Sequence, residues 1–101
     1  MKLRPVLLLT DPVGNGTEIL VAYISSVVPT TLLETDILLD ITQDEFASTG
    51  LKSTSLLRLH KLATIHITSL KRRLGSSSEG TSIAVHEILI AMLDKLKGTG
   101  D

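Results

Sequence analysis

The chain has 101 residues, 43% of them hydrophobic, which is the composition of one globular domain with a modest core and excludes a disordered chain. Its formal net charge of −1 excludes global attraction to nucleic acid, so an RNA site has to come from a local basic patch. It contains no cysteine, which excludes disulfides and thiolate metal sites.

The first half of the chain predicts three strands separated by turns. An apolar run over residues 6–10 predicts a buried strand, and the Pro and Gly residues of DPVGNG that follow it are typical of a turn. Residues 19–28, rich in Val, Ile and Ala, predict a second strand, and residues 35–41 predict a third. TQDE at residues 42–45 has the form of a capping box, which predicts a helical turn that Gly50 closes.

The second half of the chain predicts further strands and then a helix. In SLLRLHKL, residues 55–62, side chains alternate between two faces, and one face carries Leu56, Arg58, His60 and Leu62. Residues 63–67 continue this strand, and residues 70–74 predict one more. After a flexible break at residues 76–80, in which a serine caps the next element, helical spacing over residues 81–97 places together Val85, Ile88, Leu89, Met92 and Leu96.

These elements predict a mainly β fold with α (α+β), a small barrel of five or six short strands with a C-terminal helix. We expect one domain over residues 1–97 and a disordered tail over residues 98–101. No stretch approaches the roughly 20 apolar residues of a membrane span, so we expect a cytoplasmic protein without a membrane partner. The two aromatic residues, Tyr23 and Phe46, predict no aromatic platform for base stacking.

The ordered segments RPVLLL, VAYISS, GLKSTSLLRLHKLATI and RLGSSSE, followed by the terminal helix, resemble the MazF/PemK toxins of bacterial type II toxin–antitoxin systems. The resemblance extends from Leu3 to about Leu96. It implies an SH3-like barrel, a homodimer and a metal-independent endoribonuclease (an mRNA interferase) that needs no cofactor. Such an enzyme cuts single-stranded RNA at short sequences and leaves a 2′,3′-cyclic phosphate and a 5′-hydroxyl. A cognate antitoxin and DNA binding by the complex are further implications.

The resemblance assigns catalytic roles to four residues. The Arg of the family's RPV motif corresponds to Arg4, and the catalytic Thr of the second strand corresponds to Ser25, which keeps the hydroxyl. A second branch of the family uses an Arg and an Asp two residues apart. These positions are Arg58 and His60 here, so a His stands where that branch has an Asp.

Metal-free RNA cleavage needs a base, a proton donor and positive charge beside the phosphorane. Arg4 suits phosphate stabilisation first and acid catalysis second, because a guanidinium stays protonated. Ser25 suits a hydrogen bond to the phosphate or the 2′-hydroxyl, and His60 suits acid–base catalysis. Structural alternatives remain for each: an edge charge for Arg4, a core hydroxyl for Ser25, and a polar outer face for Arg58 and His60.

Lys71, Arg72 and Arg73 form a basic cluster. Its alternatives are a solvated strand end and a site for RNA phosphates or an acidic antitoxin tail. His66 and His86 are expected to be surface or half-buried residues. A metal site built from His60 and His66 lacks further ligands at suitable spacing, so we expect no metal site.

Relatives usually have a strand and a loop ahead of the RP motif, whereas this sequence starts almost on it. A misassigned start and a truncated copy are both open interpretations. A barrel without that strand has an open apolar edge, so we expect weak stability of the isolated chain. The alternative functions are a catalytically dead homologue that binds antitoxin or RNA without cleavage, and a plain SH3-like nucleic-acid-binding domain.

Overall fold

Four strands form one antiparallel sheet in the computed structural model, which describes residues 4–95. They are β1 (Val6–Leu8), β2 (Glu18–Ser25), β3 (Asp36–Leu39) and β4 (Ser55–His66). The order across the sheet is β1-β2-β4-β3, so β2 and β4 are central and β1 and β3 lie at the edges. The sheet curls into a half-barrel.

The C-terminal helix α1, Glu79–Asp94, covers one face of the sheet. Its residue Val85 is buried in a cluster with Ala22, Leu57 and Leu59. Burial of these aliphatic side chains is the main favourable term in holding the helix on the sheet. The partly buried side chains around the cluster are Leu7, Leu9, Ile24, Ile37, Leu39, Ile88, Leu89 and Met92.

The opposite face of the sheet carries polar as well as apolar side chains. Cross-strand pairing aligns Val6, Tyr23, Arg58 and Asp36 in one row that crosses all four strands. Leu56, on the same face, is completely buried. A charged side chain in such surroundings requires a partner, because the burial of an unpaired charge is costly.

The register between β2 and β4 changes after Ala22, where β4 passes residues 59–61 without a partner in β2. The Leu59 N–H instead donates to the carbonyl oxygen of Thr35, just before β3, at 2.9 Å. Irregularities of this kind redirect side chains. Here the irregularity brings His60 next to Thr35.

The predicted fold class is confirmed, but residues 4–95 contain four strands and not five or six. The predicted strand at residues 70–74 is wrong, because these residues form no regular structure, and the Ser76 N–H that follows them donates to the Ser48 carbonyl oxygen and not to a strand. The predicted segments 55–62 and 63–67 are one continuous strand, β4. The first strand is not buried as predicted, because β1 is an edge strand whose Leu8 is exposed.

The capping box predicted at residues 42–45 is also wrong. The Thr42 hydroxyl donates to the Asp40 carboxylate at 2.8 Å, and the N-cap is Gln43, whose side chain makes no capping hydrogen bond. The predicted helical turn exists as a first 3₁₀ helix, Asp44–Thr49. Gly50 ends it as predicted, with a φ of 72°.

Gly50 and Gly75 mark a close approach between the first 3₁₀ helix and the segment that precedes α1. A Cβ on Gly50 would collide with the Leu74 carbonyl oxygen, and one on Gly75 would collide with the Ser48 carbonyl oxygen. The Ser76 N–H donates to the same Ser48 oxygen at 2.8 Å. This hydrogen bond holds the backbone at Ser76, just after residues 70–74, which were predicted as a strand. A second 3₁₀ helix, Ile67–Ser69, lies between β4 and this segment.

Helix α1 begins at Glu79, before the predicted start at residue 81, because Ser78 is its N-cap. The predicted end at residue 97, Leu96 and the tail at residues 98–101 lie outside the described residues. The outer side of α1 exposes Ile83, Ile90 and Leu93. The helix is therefore less amphipathic than predicted. Within residues 4–95, no helix combines the length and apolar character that crossing a membrane requires.

Candidate functional site

A buried carboxylate, Asp36, lies at the start of β3 on the face opposite α1. Its side chain is 0% exposed. Oδ2 accepts a hydrogen bond from the Leu33 N–H at 2.9 Å, and Oδ1 accepts one from Arg58 Nε at 3.2 Å. These two bonds offset the cost of removing the carboxylate from water.

Arg58 is held through Nε, and its guanidinium makes no other side-chain hydrogen bond within residues 4–95. Its side chain is 24% exposed. The two terminal nitrogens therefore remain for a further partner. A guanidinium presents them as a planar pair that matches the oxygens of a phosphate.

His60 lies beside the same carboxylate. Its Nδ1 is 2.7 Å from Thr35 Oγ1 and 3.9 Å from Asp36 Oδ1. The side chain is 29% exposed. Because the two ring nitrogens point in different directions, engagement of Nδ1 leaves Nε2 for a ligand or for proton transfer.

Arg4 comes just before β1, near the end of β2 that carries Ser25. The Ile24 N–H donates to the Pro5 carbonyl at 3.3 Å, so Arg4 and Ser25 are each one residue from this bonded pair. Ser25 is in turn one side-chain row away from Arg58. The structure thus places Ser25, Arg58 and His60 on one face of the sheet, and it places the backbone of Arg4 near the end of β2.

The Ser25 hydroxyl already takes part in a turn at the end of β2. It accepts a hydrogen bond from the Val27 N–H at 3.1 Å and donates one to the Val27 carbonyl oxygen at 3.4 Å. A serine hydroxyl has one proton to donate and two lone pairs to accept with. Ser25 therefore keeps one lone pair, and its proton is available to a ligand only in exchange for the long bond to the Val27 carbonyl, which suits a binding role better than that of a base.

The basic cluster lies on an irregular segment and not on the sheet that carries Ser25, Arg58 and His60. Lys71, Arg72 and Arg73 are exposed on the segment that follows the second 3₁₀ helix. Arg73 Nε donates to the Gly75 carbonyl at 3.3 Å. Within residues 4–95, no hydrogen bond or ion pair joins the cluster to Arg58 or its partners.

Sequence reasoning missed three residues of this face. Asp36 and Thr35 were assigned to a predicted strand without a role, although a charge at the start of the apolar run DILL was a visible signal. Tyr23 is 38% exposed and lies in the same row as Arg58. Tyr23 is thus one exposed ring on this face, and the absence of an aromatic platform for base stacking stays a prediction.

The remaining histidines lie away from this face. His66 Nδ1 accepts a hydrogen bond from the Thr68 N–H at 3.2 Å and caps the second 3₁₀ helix. His86 is exposed on α1. In the part of the chain that the structure describes, no group of three or more His, Cys, Asp or Glu residues is arranged to hold a metal ion.

Asp40, in the turn after β3, is a carboxylate with a displaced pKa. The Thr42 backbone N–H and hydroxyl donate to its Oδ1 at 2.9 and 2.8 Å. Both hydrogen bonds favour the ionised form, and they lower the pKa of Asp40 below its ordinary value of 3.8. They stabilise the turn that leads into the first 3₁₀ helix.

Comparison with known proteins adds family evidence. A family model described as "PemK-like, MazF-like toxin of type II toxin-antitoxin system" matches residues 1–93. The solved "Mycobacterium tuberculosis toxin MazF-mt6" is similar with 29% identity and a TM-score of 0.71, over 90% of this chain and 86% of that chain. A structure described as "Crystal structure of Mtb toxin" is similar with 29% identity and a TM-score of 0.69, over 87% of this chain and 90% of that chain. No curated protein matches significantly. The chain belongs to the PemK-like, MazF-like toxin family of type II toxin–antitoxin systems.

Proposed function

We propose that this toxin is a metal-independent endoribonuclease that cuts single-stranded RNA and leaves a 2′,3′-cyclic phosphate and a 5′-hydroxyl. The observation that carries the proposal is the cluster of Arg58, Asp36 and His60 on the same face of the sheet as Ser25, with Arg4 just before β1 and near the end of β2. Membership in the toxin family supports the proposal. The chemistry of the face also supports it, because its cationic and proton-transferring groups are suited to RNA.

In the proposed reaction, the 2′-oxygen attacks phosphorus while the bond from phosphorus to the 5′-oxygen breaks. His60 Nε2 takes the 2′-hydroxyl proton, since imidazole exchanges protons near neutral pH. Arg4 and the terminal nitrogens of Arg58 stabilise the negative charge of the phosphorane. Ser25 donates a hydrogen bond to the phosphate in exchange for its long bond to the Val27 carbonyl, or accepts one from the 2′-hydroxyl with its remaining lone pair. The 5′-oxygen takes its proton from Arg4 or from water.

Two further features bind the RNA in this proposal. The exposed ring of Tyr23 stacks on a base, a contact that is typically worth about 1–3 kcal/mol. The exposed cluster of Lys71, Arg72 and Arg73 holds phosphates outside the scissile position. We also propose that the toxin acts in the cytoplasm as a homodimer and that a cognate antitoxin neutralises it.

The test is an RNA cleavage assay in excess EDTA with the purified chain, Arg4→Ala and, as a control, Lys52→Ala, whose exposed side chain lies before β4. We expect discrete cuts from the wild type and the control, with cyclic phosphate ends, and loss of cleavage in Arg4→Ala. Full activity of a folded Arg4→Ala would remove Arg4 from the mechanism. Absence of cuts by a folded wild type would contradict the proposed activity.

A second candidate is a homologue that binds antitoxin or RNA without cleavage. It is favoured by the pairing of Arg58 with Asp36, which offsets the positive charge of the guanidinium, and by the engaged hydroxyl of Ser25. Retained binding of a synthetic single-stranded RNA or of the antitoxin, together with no cleavage, would support this candidate over the first.

A further inference from the structure

Asp36 is a charged group that the proposed reaction does not use directly. Its side chain is completely buried, so it is shielded from RNA, yet it lies beside two groups assigned to the reaction. Its Oδ1 is 3.2 Å from Arg58 Nε and 3.9 Å from His60 Nδ1. A single oxygen atom therefore faces both the cation and the acid–base group.

The orientation of this carboxylate is set by the backbone. Its other oxygen, Oδ2, accepts a hydrogen bond from the Leu33 N–H at 2.9 Å. Asp36 also pairs with Arg58 across β3 and β4, so both side chains project from one rung of the ladder. These constraints keep Oδ1 directed at Arg58 and His60.

Thr35 adds a second constraint on the His60 ring through its hydroxyl, 2.7 Å from Nδ1. The negative charge of Asp36 on the same side of the ring favours a proton on Nδ1, because the positive end of the N–H dipole then faces the carboxylate. The Thr35 hydroxyl accepts that proton in a hydrogen bond. Nε2 is then left with its lone pair, the form that a general base requires.

We infer that Asp36 is a positioning residue that holds Arg58 by Nε and, together with Thr35, holds His60 in the Nδ1–H tautomer. The terminal nitrogens of Arg58 and the Nε2 of His60 are thereby presented to the substrate. This inference rests on the proposed ribonuclease function. It also means that β3 supplies the carboxylate near Arg58. The resemblance expects this carboxylate from an Asp at the position that His60 occupies.

The first test is the tautomer of His60 in the full chain, read from ¹⁵N shifts of the imidazole at a pH above neutrality and assigned with His60→Gln. Asp36→Asn keeps an oxygen for the Leu33 N–H but replaces the carboxylate charge. We expect the Nδ1–H form in the wild type and in the control Asp11→Asn, an exposed turn residue. We expect a shift toward the Nε2–H form in Asp36→Asn. The same tautomer in wild type and Asp36→Asn would overturn the inference.

The second test is the rate of RNA cleavage. We expect Asp36→Asn to lower kcat about tenfold to a hundredfold with little change in KM, because small displacements of catalytic groups have effects of about this size. We expect the loss to shrink in a His60→Gln background, since residues that act through one another are not additive. A loss of equal size in both backgrounds would contradict action through His60.

The two tests separate failure of the inference from failure of the proposed function. A wild type that cuts no RNA contradicts the proposed function, and the ¹⁵N shifts still decide whether Asp36 orients His60. A wild type that cuts RNA, with a tautomer independent of Asp36, contradicts the inference alone. If Asp36→Asn does not fold, the double variant Asp36→Asn with Arg58→Met, which removes both charges of the buried pair together, provides the same spectroscopic test. An unchanged tautomer of His60 in that double variant would then overturn the inference.

Discussion

Single side chains decide how charge is kept inside this curled sheet. Asp36 is fully buried and Arg58 is only 24% exposed, so each compensates for the desolvation of the other. Removal of one partner of such a pair leaves an uncompensated charge, whereas replacement of both partners is often close to neutral. The stability of the fold therefore depends on the pairing of β3 with β4, which brings the two charges together.

We expect Arg58→Met to lower the free energy of unfolding by about 3 kcal/mol, because the buried carboxylate of Asp36 keeps the Leu33 N–H but loses its charged partner. The double variant Arg58→Met with Asp36→Asn should recover most of this loss. Urea denaturation of the wild type and the two variants measures the difference. Equal losses in the single and double variants would show that the pairing of the two charges does not determine stability.

Gly50 combines a left-handed backbone with a close contact, whereas Gly14 has a similar φ of 67° in open space. We expect Gly14→Ala to lower the free energy of unfolding by about 1–2 kcal/mol, the usual cost of a side chain in this conformation. Gly50→Ala should cost more, because its Cβ also meets the Leu74 carbonyl. Thermal unfolding of both variants tests this, and equal costs would show that the Leu74 backbone moves aside freely.

Asp40 makes a prediction about acid stability. Its pKa is lowered by the backbone N–H of Thr42 first and by the Thr42 hydroxyl second. A lowered pKa in the folded state contributes stability above the ordinary value of 3.8, and this contribution is lost as the pH falls through the lowered pKa. We expect Thr42→Val to be less stable than the wild type at neutral pH, with a difference that narrows below pH 3.8. Chemical denaturation across this pH range measures it, and a difference independent of pH would contradict the assignment.

At the scale of elements, the ends of helices and the irregularity in β4 determine the positions of candidate RNA-binding groups more than the regular strands do. The register change after Ala22 frees residues 59–61 from β2 and directs His60 toward Thr35. The close approach at Gly75 holds the segment between the second 3₁₀ helix and α1 in an irregular form. Neither feature belongs to a single strand or helix, yet both decide where candidate RNA-binding groups lie.

The N-cap of α1 provides a test at this scale. Ser78 Oγ accepts from the Thr81 N–H at 3.1 Å, whereas the only side-chain hydrogen bond of the neighbouring Ser77 among the described residues is with the Ser82 hydroxyl. We expect Ser78→Ala to lower the free energy of unfolding by about 1 kcal/mol, the usual value of an N-cap. The matched control Ser77→Ala should change it by less. Urea denaturation distinguishes the two, and equal effects would contradict the capping role.

At the scale of the whole molecule, much apolar surface lies outside the core. The edge strand β1 exposes Leu8, and the outer side of α1 exposes Ile83, Ile90 and Leu93 by 54%, 46% and 60%. Within residues 4–95, β1 pairs with β2 alone. Exposed edges and apolar patches are surfaces that proteins cover by association.

We expect the isolated chain to be weakly stable when dilute and its melting temperature to rise with protein concentration, because self-association stabilises the folded state by mass action. Differential scanning fluorimetry over a concentration series, with sedimentation velocity at the same concentrations, measures both effects. A sharp, reversible transition of a dilute monomer, independent of concentration, would contradict this expectation.

Periodicity and turn residues were enough to predict the main elements but not all of their limits. Alternation in SLLRLHKL correctly placed Leu56 and Arg58 on one face of β4, and helical spacing located α1. The same alternation wrongly placed Leu62 on that face, because the register change pairs Leu62 with Ala22 of the face that α1 covers. The false strand at residues 70–74, LKRRL, has three basic residues between two leucines and no regular alternation. The segment lies against the first 3₁₀ helix, because Gly50 and Gly75 permit a close backbone approach that the local sequence does not indicate.

The sequence by itself determined the fold class, the order of the elements and the residues that match the toxin family, because these depend on local periodicity and on short motifs in order. Only the tertiary structure decided that Asp36 lies between Arg58 and His60, that Tyr23 is exposed in the same row as Arg58, and that the basic cluster is on an irregular segment and not on a strand. Pairing between strands distant in the chain sets these positions. A buried carboxylate needs a charged partner, and the strand register determines which cation lies next to it.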